Sequence, residues 1–397
     1  MKKKFFALMM AMVMVLSLAA CGGSDEADPN SGDSAGGESS GSSAFKVGVI
    51  GPLTGGAAIY GTCVANSAQI AVDEINALGV DIQFELMTED DVNDAETSVN
   101  AYNALMDDGM QILVGTVTTQ PALSVVPLSY EDRVFTLTPS ASGDDVISIN
   151  DNDNVFQICF TDSNQGSRSA QYIDENFDSP KIAIIYNSSD AYSSGIYNNF
   201  VKEAQAKGLE VVSAEAFTDD SKTDFSVQLN KSKSSGADLV FLPIYAQEAS
   251  QILEQANTMG YQTTFFGCDG LDGILAIEGF NTSLAEGVIL LTPFVAGDTK
   301  SQANVNFTNK FKEKYKDTPN QFAADAYDAI YILAECMKNG NVTADMSVSD
   351  VCEILKAEIV KVTYDGLTGD GITFAADGSV NKSPNAMKIQ NGDYIPM

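Results

Sequence analysis

The sequence predicts an α/β protein built from two doubly wound, mainly parallel sheets. From residue 46 onward, short apolar runs alternate with longer segments of helical period, as where "KVGVIGPL" gives way to "VANSAQIAVDEINALG". The alternation begins again at "KIAIIYNSSD", which precedes "SGIYNNFVKEAQAKG". Repeated strand and helix units form open parallel sheets with helices on both faces, so two series of units predict two Rossmann-like lobes.

Chain length and the C-terminal part agree with two lobes. About 350 residues follow the N-terminal segments, which suits two domains. The C-terminal part reads first as helices, around "FTNKFKEKYKDTPNQFAADAYDAIYILAECMKNG", and then as short strands joined by Gly and Asn turns. This ending predicts that the chain returns to complete both lobes.

The N-terminal segment has the features of an export signal. Lys2, Lys3 and Lys4 precede an apolar run, and Cys21 follows it. The stretch "LAAC" resembles the bacterial lipobox, in which the cysteine becomes the lipidated N-terminus; a signal with an accidental cysteine is the alternative. We expect a signal peptide over residues 1–20, and then a lipidated Cys21 with a flexible tether over residues 21–45, because this stretch has almost nothing apolar to bury. The protein is thus expected to be an exported lipoprotein that faces the extracytoplasmic side of the cell membrane.

Composition excludes several classes of function. The chain has 54 acidic and 22 basic residues, a formal charge of −32, which disfavours nucleic-acid binding. It contains no histidine, so Ser/His/Asp and Cys/His catalysis and histidine-based zinc sites are excluded. Acid/base chemistry by Asp, Glu or Lys stays open. The cysteines after Cys21 form no CxxC pair, which favours buried free thiols, with one disulfide as the alternative.

Polar residues collect where predicted strands end. The four stretches are "GPLTGGAAIYG", "GTVTTQPA", "TPSASG" and "FGCDG". Ligands of doubly wound sheets bind beyond the carboxyl ends of the strands. Three stretches supply hydroxyls and backbone N–H groups that suit an anion, and the fourth supplies the carboxylate of Asp269, so together they suit a zwitterion. No phosphate-binding motif is present, and the acidic cluster "TEDDVND" is assigned to helix capping, with calcium binding as the alternative.

Six stretches, in order and spacing, resemble a known family. They are "KVGVIGPLTGGAAIYGTCVANSAQIAVDEINALG", "VGTVTTQPALSVVPL", "TPSAS", "VFQICFTDSNQG", "IAIIYNSSDAYSSG" and "FGCDGLDG". From residue 46 to about 395 the chain resembles the Leu/Ile/Val-type amino-acid binding proteins of ABC importers. The resemblance implies a type I periplasmic-binding-protein fold, with crossings between lobes near residues 161, 291 and 370. The N-terminal lobe would comprise residues 46–161 and 292–370, and the C-terminal lobe residues 162–291 and 371–397.

The resemblance also implies roles for individual residues. Thr119 would bind the α-carboxylate of the ligand, and Asp269 would pair with its ammonium group. The loop of Ser140, Ala141 and Ser142 would supply a carbonyl, a hydroxyl and an N–H group to the ligand backbone. The aromatic residues around the ligand side chain would be Tyr60, Tyr192 and Tyr245. Phe322, also aromatic, and Thr118 are further candidates for the ligand site. Packing, for the aromatic residues, and helix capping, for Thr119 and Asp269, are the structural alternatives.

The function implied is that of a monomeric receptor without catalysis, metal or cofactor. It would bind an amino acid, branched-chain or similar, between two closing lobes and deliver it to the permease of an ABC importer. One alternative is a sensing module of the same fold that acts with a separate signalling receptor. Another is an enzyme such as an amidase that uses Asp269 and a lysine.

Overall fold

The computed structural model describes residues 44–397, so the predicted signal peptide, Cys21 and nearly all of the tether lie outside the described residues. The tether was expected to extend to residue 45, but Phe45 already opens the first strand. Within residues 44–397, no helix is long and apolar enough to cross a membrane. Cys63, Cys159, Cys268, Cys336 and Cys352 are free and buried, which confirms the expectation of free thiols for the described chain.

The first sheet is parallel throughout. Its strands are β1 (Phe45–Gly51), β2 (Phe84–Asp90), β3 (Ile112–Leu113), β4 (Phe135–Thr138) and β5 (Val155–Gln157), and the helices between them are α1 (Ala58–Ala77), α2 (Ala95–Asp107) and α3 (Thr119–Glu131). The strand order is β2-β1-β3-β4-β5. Asp94 caps α2 by accepting the N–H of Thr97 at 2.8 Å, so the acidic stretch before α2 acts as predicted.

The second sheet is larger and ends in an antiparallel hairpin. Its parallel strands are β6 (Lys181–Asn187), β7 (Glu210–Phe217), β8 (Leu239–Leu242), β9 (Thr264–Gly267) and β10 (Ile289–Leu291). The helices before and between these strands are α4 (Asp162–Asn176), α5 (Ala191–Lys207), α6 (Ser226–Ser234) and α7 (Ala246–Thr258). After it come α8 (Gln302–Tyr315), α9 (Gln321–Asn339), α10 (Val348–Ile359) and the hairpin strands β11 (Ala386–Gln390) and β12 (Asp393–Pro396). The strand order is β12-β11-β10-β9-β8-β6-β7.

The C-terminal part of the chain contributes to both sheets, as expected. Helix α9 packs along α1, and α10 packs against β4. The hairpin of β11 and β12 then joins the second sheet through antiparallel pairing of β11 with β10. We call the first sheet with α1–α3 and α8–α10 the first lobe, and the second sheet with α4–α7 the second lobe.

Residues beyond the third predicted crossing, near residue 370, still contact the first sheet. Phe374, which was assigned to the second lobe, packs edge-on against Phe156 of β5 with 6.3 Å between ring centroids. The N–H of Gln157 donates to the carbonyl of Gly378 at 2.9 Å. Because these residues complete the edge of the first sheet, we propose that the crossing lies between Lys382 and Ala386 rather than near residue 370. The crossings near residues 161 and 291 stay predictions.

Candidate functional site

A small cavity lies between the two lobes, where the carboxyl ends of their strands face each other. Its lining residues are Tyr60, Val117, Thr118, Thr119, Ser140, Tyr192, Tyr245, Asp269, Gly270 and Phe322. Eight of the ten residues predicted for the ligand site are among them. The free space between these side chains is about 10 Å³, which is about the room that one water molecule needs. In this closed arrangement the side chains nearly fill the cavity, so a ligand would enter only when the lining residues move apart.

Four aromatic rings from both lobes form one wall of the cavity. Tyr192 and Tyr245 are stacked, with ring centroids 4.9 Å apart, and Tyr60 lies 5.4 Å from Tyr245. Phe322 meets the ring of Tyr60 edge-on at 5.2 Å. Offset and edge-on ring pairs of this kind are favourable, and together they present an apolar surface. The wall thus suits an apolar side chain of a ligand.

The Tyr60 phenol joins the two lobes directly. Tyr60 belongs to α1 of the first lobe, and its hydroxyl donates to the carbonyl of Gly270 in the second lobe at 2.5 Å. The same oxygen accepts the N–H of Ala246 at 2.8 Å. Burial raises the pKa of Tyr60 well above its usual value, so the phenol stays protonated and able to donate. The structure is therefore a closed arrangement of the lobes.

Asp269 is the one charged side chain in the described lining. It is 2% exposed, and its Oδ1 atom accepts the Tyr192 hydroxyl at 2.7 Å. Burial raises its pKa to about 7, against the lowering effect of the Tyr192 hydroxyl and of the nearby Gln165 side chain. No lysine or arginine lines the cavity to balance this carboxylate. A buried carboxylate without a cation favours a positively charged partner.

The backbone after Asp269 is not the helix that the capping alternative for this residue requires. Two short 3₁₀ turns, Asp269–Leu271 and Ile274–Ala276, replace it, and the side chain of Asp269 caps neither. Gly273, with φ of 109°, separates the two turns. Gly270 is required for packing, because a Cβ there would lie 2.5 Å from the Tyr192 hydroxyl. The capping alternative for Asp269 is therefore wrong.

Hydroxyl groups form the opposite end of the cavity. Thr119 Oγ1 accepts the N–H of Gly143 at 3.3 Å, which leaves its own hydrogen available. Thr118 Oγ1 is buried and has no hydrogen-bond partner among the described residues. Thr118, not Thr119, is the N-cap of α3, and its side chain makes no capping bond. With Ser140, these threonines can donate to an anionic group.

Ala141 and Ser142 lie behind this end and do not line the cavity. The carbonyl of Ala141 accepts the side-chain amide of Gln157 at 2.8 Å. The hydroxyl of Ser142 donates to Asp162 Oδ1 at 2.8 Å. In this closed structure both residues hold the loop in place. Their direct contact with a ligand stays a prediction.

Two larger grooves lie outside this cavity. One, of about 490 Å³, lies between the end of α7 and the starts of β9 and β10. The other, of about 670 Å³, runs from the turn after Asp272 to the C-terminal hairpin. Both are open and lined by dispersed residues. The small cavity is the site that brings a buried carboxylate, hydroxyls and aromatic rings together.

Comparison with known proteins identifies the family. The model of the periplasmic binding protein family, Peripla_BP_6, matches residues 44–393. The chain belongs to this family. Its type I periplasmic-binding-protein fold is thereby confirmed, as is the resemblance that the sequence predicted.

Named members of the periplasmic binding protein family are similar over most of this chain. BraC3 of Rhizobium johnstonii, a Leu/Ile/Val-binding protein, is 32% identical over 334 residues, which are 82% of this chain and 88% of BraC3. The leucine-, isoleucine-, valine-, threonine- and alanine-binding protein of Pseudomonas aeruginosa is 29% identical over 335 residues, 82% of this chain and 84% of that protein. The crystal structure of LivJ from Streptococcus pneumoniae in complex with isoleucine is 26% identical and superposes with a TM-score of 0.79 over 89% of this chain and 98% of LivJ.

Sequence reasoning missed some residues that shape this periplasmic-binding-protein site. Val117 and Gly270 line the cavity, and both lie beside predicted site residues, so the ends of β3 and β9 signalled their position. Asp162 and Gln165 lie behind the cavity on the first turn of α4. They occur in the quoted stretch "VFQICFTDSNQG", but nothing in that stretch indicates which side chains turn toward the site.

Proposed function

We propose that this protein is an extracytoplasmic receptor that binds an amino acid between its two lobes and delivers it to the permease of an ABC importer. The proposal rests on the placement of one carboxyl group and three hydroxyl groups on different lobes around the cavity. The buried carboxyl of Asp269 lies on the second lobe, and the hydroxyls of Thr118, Thr119 and Ser140 lie on the first. An α-ammonium group fits the former and an α-carboxylate the latter.

The side chain of the ligand is proposed to be apolar and branched. The four rings of Tyr60, Tyr192, Tyr245 and Phe322 offer an apolar wall. Proteins similar over most of this chain are named for binding leucine, isoleucine and valine, and LivJ was crystallised with isoleucine. These names support a branched-chain amino acid here.

Binding without chemical conversion is part of the proposal. The chain has no histidine, and the cavity holds no lysine beside Asp269 that could act with it in an amidase. Hydrogen bonds to charged groups contribute about 1.5–3 kcal/mol each, so a few of them suffice for micromolar binding. Closure of the lobes would present the loaded form to the permease. A lipid on Cys21 would hold the receptor at the membrane.

Titration calorimetry of the purified protein against L-leucine, L-isoleucine and L-valine tests the proposal. The matched controls are leucinamide, which lacks the carboxylate, and 4-methylpentanoate, which lacks the ammonium group. We expect micromolar or tighter binding of at least one amino acid and much weaker binding of both controls. Mass spectrometry should recover the bound amino acid unchanged. Binding of 4-methylpentanoate as tight as that of leucine, or no binding of any of the three amino acids, would contradict the proposal.

A further inference from the structure

The first turn of α4 is fastened to the loop that carries Ser140. The N–H of Asp162 donates to the carbonyl of Ser142 at 2.8 Å, and the hydroxyl of Ser142 donates back to Asp162 Oδ1 at 2.8 Å. One residue further on, the N–H and hydroxyl of Ser163 both donate to Asp144, at 3.1 and 2.6 Å. The loop that forms the hydroxyl end of the cavity is thus bound at two points to a helix of the opposite lobe.

The same turn also holds the loop that carries Asp269. The Oε1 atom of Gln165 accepts the N–H of Asp269 at 3.1 Å. Gln165 is fully buried, and its Nε2 atom has no hydrogen-bond partner among the described residues. This amide lies near the Asp269 carboxyl, whose pKa it helps to lower. Buried amide groups are nearly always paired, and here the paired atom is the acceptor that holds the backbone of Asp269.

Close packing against α5 fixes the position of this turn. A Cβ on Gly166 would lie 2.6 Å from the carbonyl oxygen of Ile196, and a Cβ on Gly195 would lie 2.6 Å from Asp162 Oδ2. Helices α4 and α5 therefore approach more closely than side chains would allow. Helix α5 also carries Tyr192, which bonds Asp269. A shift of the first turn of α4 would therefore also move α5 and, with it, Tyr192 of the aromatic wall.

We propose that Asp162 and Gln165 are positioning residues that set the spacing between the two ends of the ligand site. Gln165 acts through Asp269 on the ammonium end, and Asp162 acts through Ser142 on the carboxylate end. The inference rests on the proposed function, since it assigns the two ends to the two charges of an amino acid. Neither Gln165 nor Asp162 lines the cavity, so Gln165 affects the ligand only through Asp269, and Asp162 affects it only through Ser142.

Each positioning residue is expected to affect recognition of one end of the ligand. Gln165→Met keeps the size of the side chain and removes the acceptor for the Asp269 N–H. We expect it to weaken L-leucine binding by about tenfold or more and to reduce the preference for leucine over 4-methylpentanoate. The preference for leucine over leucinamide should change little. Gln255→Met is the matched control, because Gln255 Oε1 also accepts a backbone N–H, that of Phe225 at 2.8 Å, away from the site.

Asp162→Ala should show the opposite pattern. It should reduce the preference for leucine over leucinamide and leave the preference over 4-methylpentanoate nearly unchanged. Asp162→Asn keeps an acceptor for Ser142 and should recover most of the affinity. Ser142→Ala should weaken binding as Asp162→Ala does, and the double variant should lose no more than either single one, because the two residues act as one unit.

The outcomes separate this inference from the proposed function. If the unaltered protein binds none of the branched-chain amino acids, the proposed function fails. If it binds leucine but the variants match it, or weaken all three ligands by the same factor, the inference alone is overturned. Should Gln165→Met or Asp162→Ala not fold, Gln165→Ala and Ser142→Ala carry the same comparison of three ligands.

Discussion

Tyr192 donates a 2.7 Å hydrogen bond to Asp269 at the base of the cavity between the lobes. The same hydroxyl oxygen accepts the N–H of Gly270 at 2.9 Å. The phenol therefore fixes both the carboxyl and the backbone of this turn. A carboxyl held in this way is ready to receive an ammonium group without reorganising, which lowers the cost of binding.

Replacement of Asp269 should be the most damaging single change to binding. Asp269→Ala removes one partner of a buried charge pair, a loss of about 2–5 kcal/mol in binding free energy. Calorimetry with L-leucine measures it. Asp178→Asn, at an exposed aspartate of the same lobe, is the control and should bind as the unaltered protein does. Unchanged affinity in Asp269→Ala would remove Asp269 from the ligand site.

Ligand affinity should rise with pH through neutrality. The pKa of Asp269 in the ligand-free protein is raised to about 7, so below that pH most of the molecules carry a neutral carboxyl. An ammonium ligand binds the ionised form and must displace the proton, so affinity should fall by up to about tenfold per pH unit below 7. Calorimetry in buffers of different ionisation enthalpy, between about pH 5.5 and 8.5, should show proton release at the lower values.

Other buried carboxyls near the site could produce a similar trend. Burial also raises the pKa of Asp190, to about 7, and that of Asp272, to about 6, and raises the pKa of Asp162 well above its usual value. Asp269→Asn distinguishes them, because it removes only one titrating group. Its weakened affinity should be nearly independent of pH. A full pH dependence in Asp269→Asn would assign the effect to the neighbouring carboxyls.

Without ligand, the protein should be more stable near pH 5 than near pH 7.5. Folding raises the pKa of four buried carboxyls and of the half-buried Asp190 to about 6 or 7; the four are Asp91, Asp269, Asp272 and Asp328. At pH values between the unfolded pKa of about 4 and these folded pKa values, the folded chain binds more protons than the unfolded chain. The free energy of unfolding therefore falls as the pH rises through this range.

Urea denaturation at the two pH values checks this sign. Carboxyls whose pKa is lowered by ion pairs, such as Glu74 and Glu353, lose their contribution only at lower pH and do not reverse the trend. We expect a higher urea midpoint at about pH 5. A higher midpoint at about pH 7.5 would mean that the buried carboxyls gain compensating contacts when they ionise.

The sequence predicted the fold and most of the cavity because both follow from backbone topology. Parallel strands end at one edge, so residues just past a strand, such as Thr119, Ser140 and Asp269, converge whatever their side chains do. The role of Ser142 was less predictable, because its hydroxyl turns to Asp162, and that depends on how α4 is rotated. The packing of Phe374 on Phe156 was also hidden from the sequence, because only tertiary contacts reveal it.

Tyr60→Phe should weaken closure of the lobes while the ring packing remains. The change removes the bond to Gly270 and leaves the N–H of Ala246 without its acceptor, at a cost of about 1–3 kcal/mol. We expect faster release of leucine in stopped-flow measurements and a larger radius of gyration without ligand in small-angle scattering. Tyr261→Phe is the matched control, because its hydroxyl bonds Ala237 inside the second lobe at 3.3 Å. Equal release rates in both variants would mean that the Tyr60 hydroxyl does not hold the lobes together.

Asp272 should link the stability of the lobe junction to the ligand site. Its Oδ2 atom accepts the N–H of Gln321, at the start of α9, at 2.9 Å and the hydroxyl of Thr292 at 3.1 Å. Asp272→Ala leaves the N–H of Gln321 buried and unpaired, while the Thr292 hydroxyl keeps its second acceptor, the carbonyl of Phe294 at 3.1 Å. The free energy of unfolding should therefore fall by about 1–3 kcal/mol. Leucine affinity should fall as well, because Phe322 of the aromatic wall follows Gln321 directly. Asp272→Asn keeps an acceptor and should lose less of both; equal losses in the two variants, measured by urea denaturation and calorimetry, would mean that the charge and not the hydrogen bonds holds α9 in place.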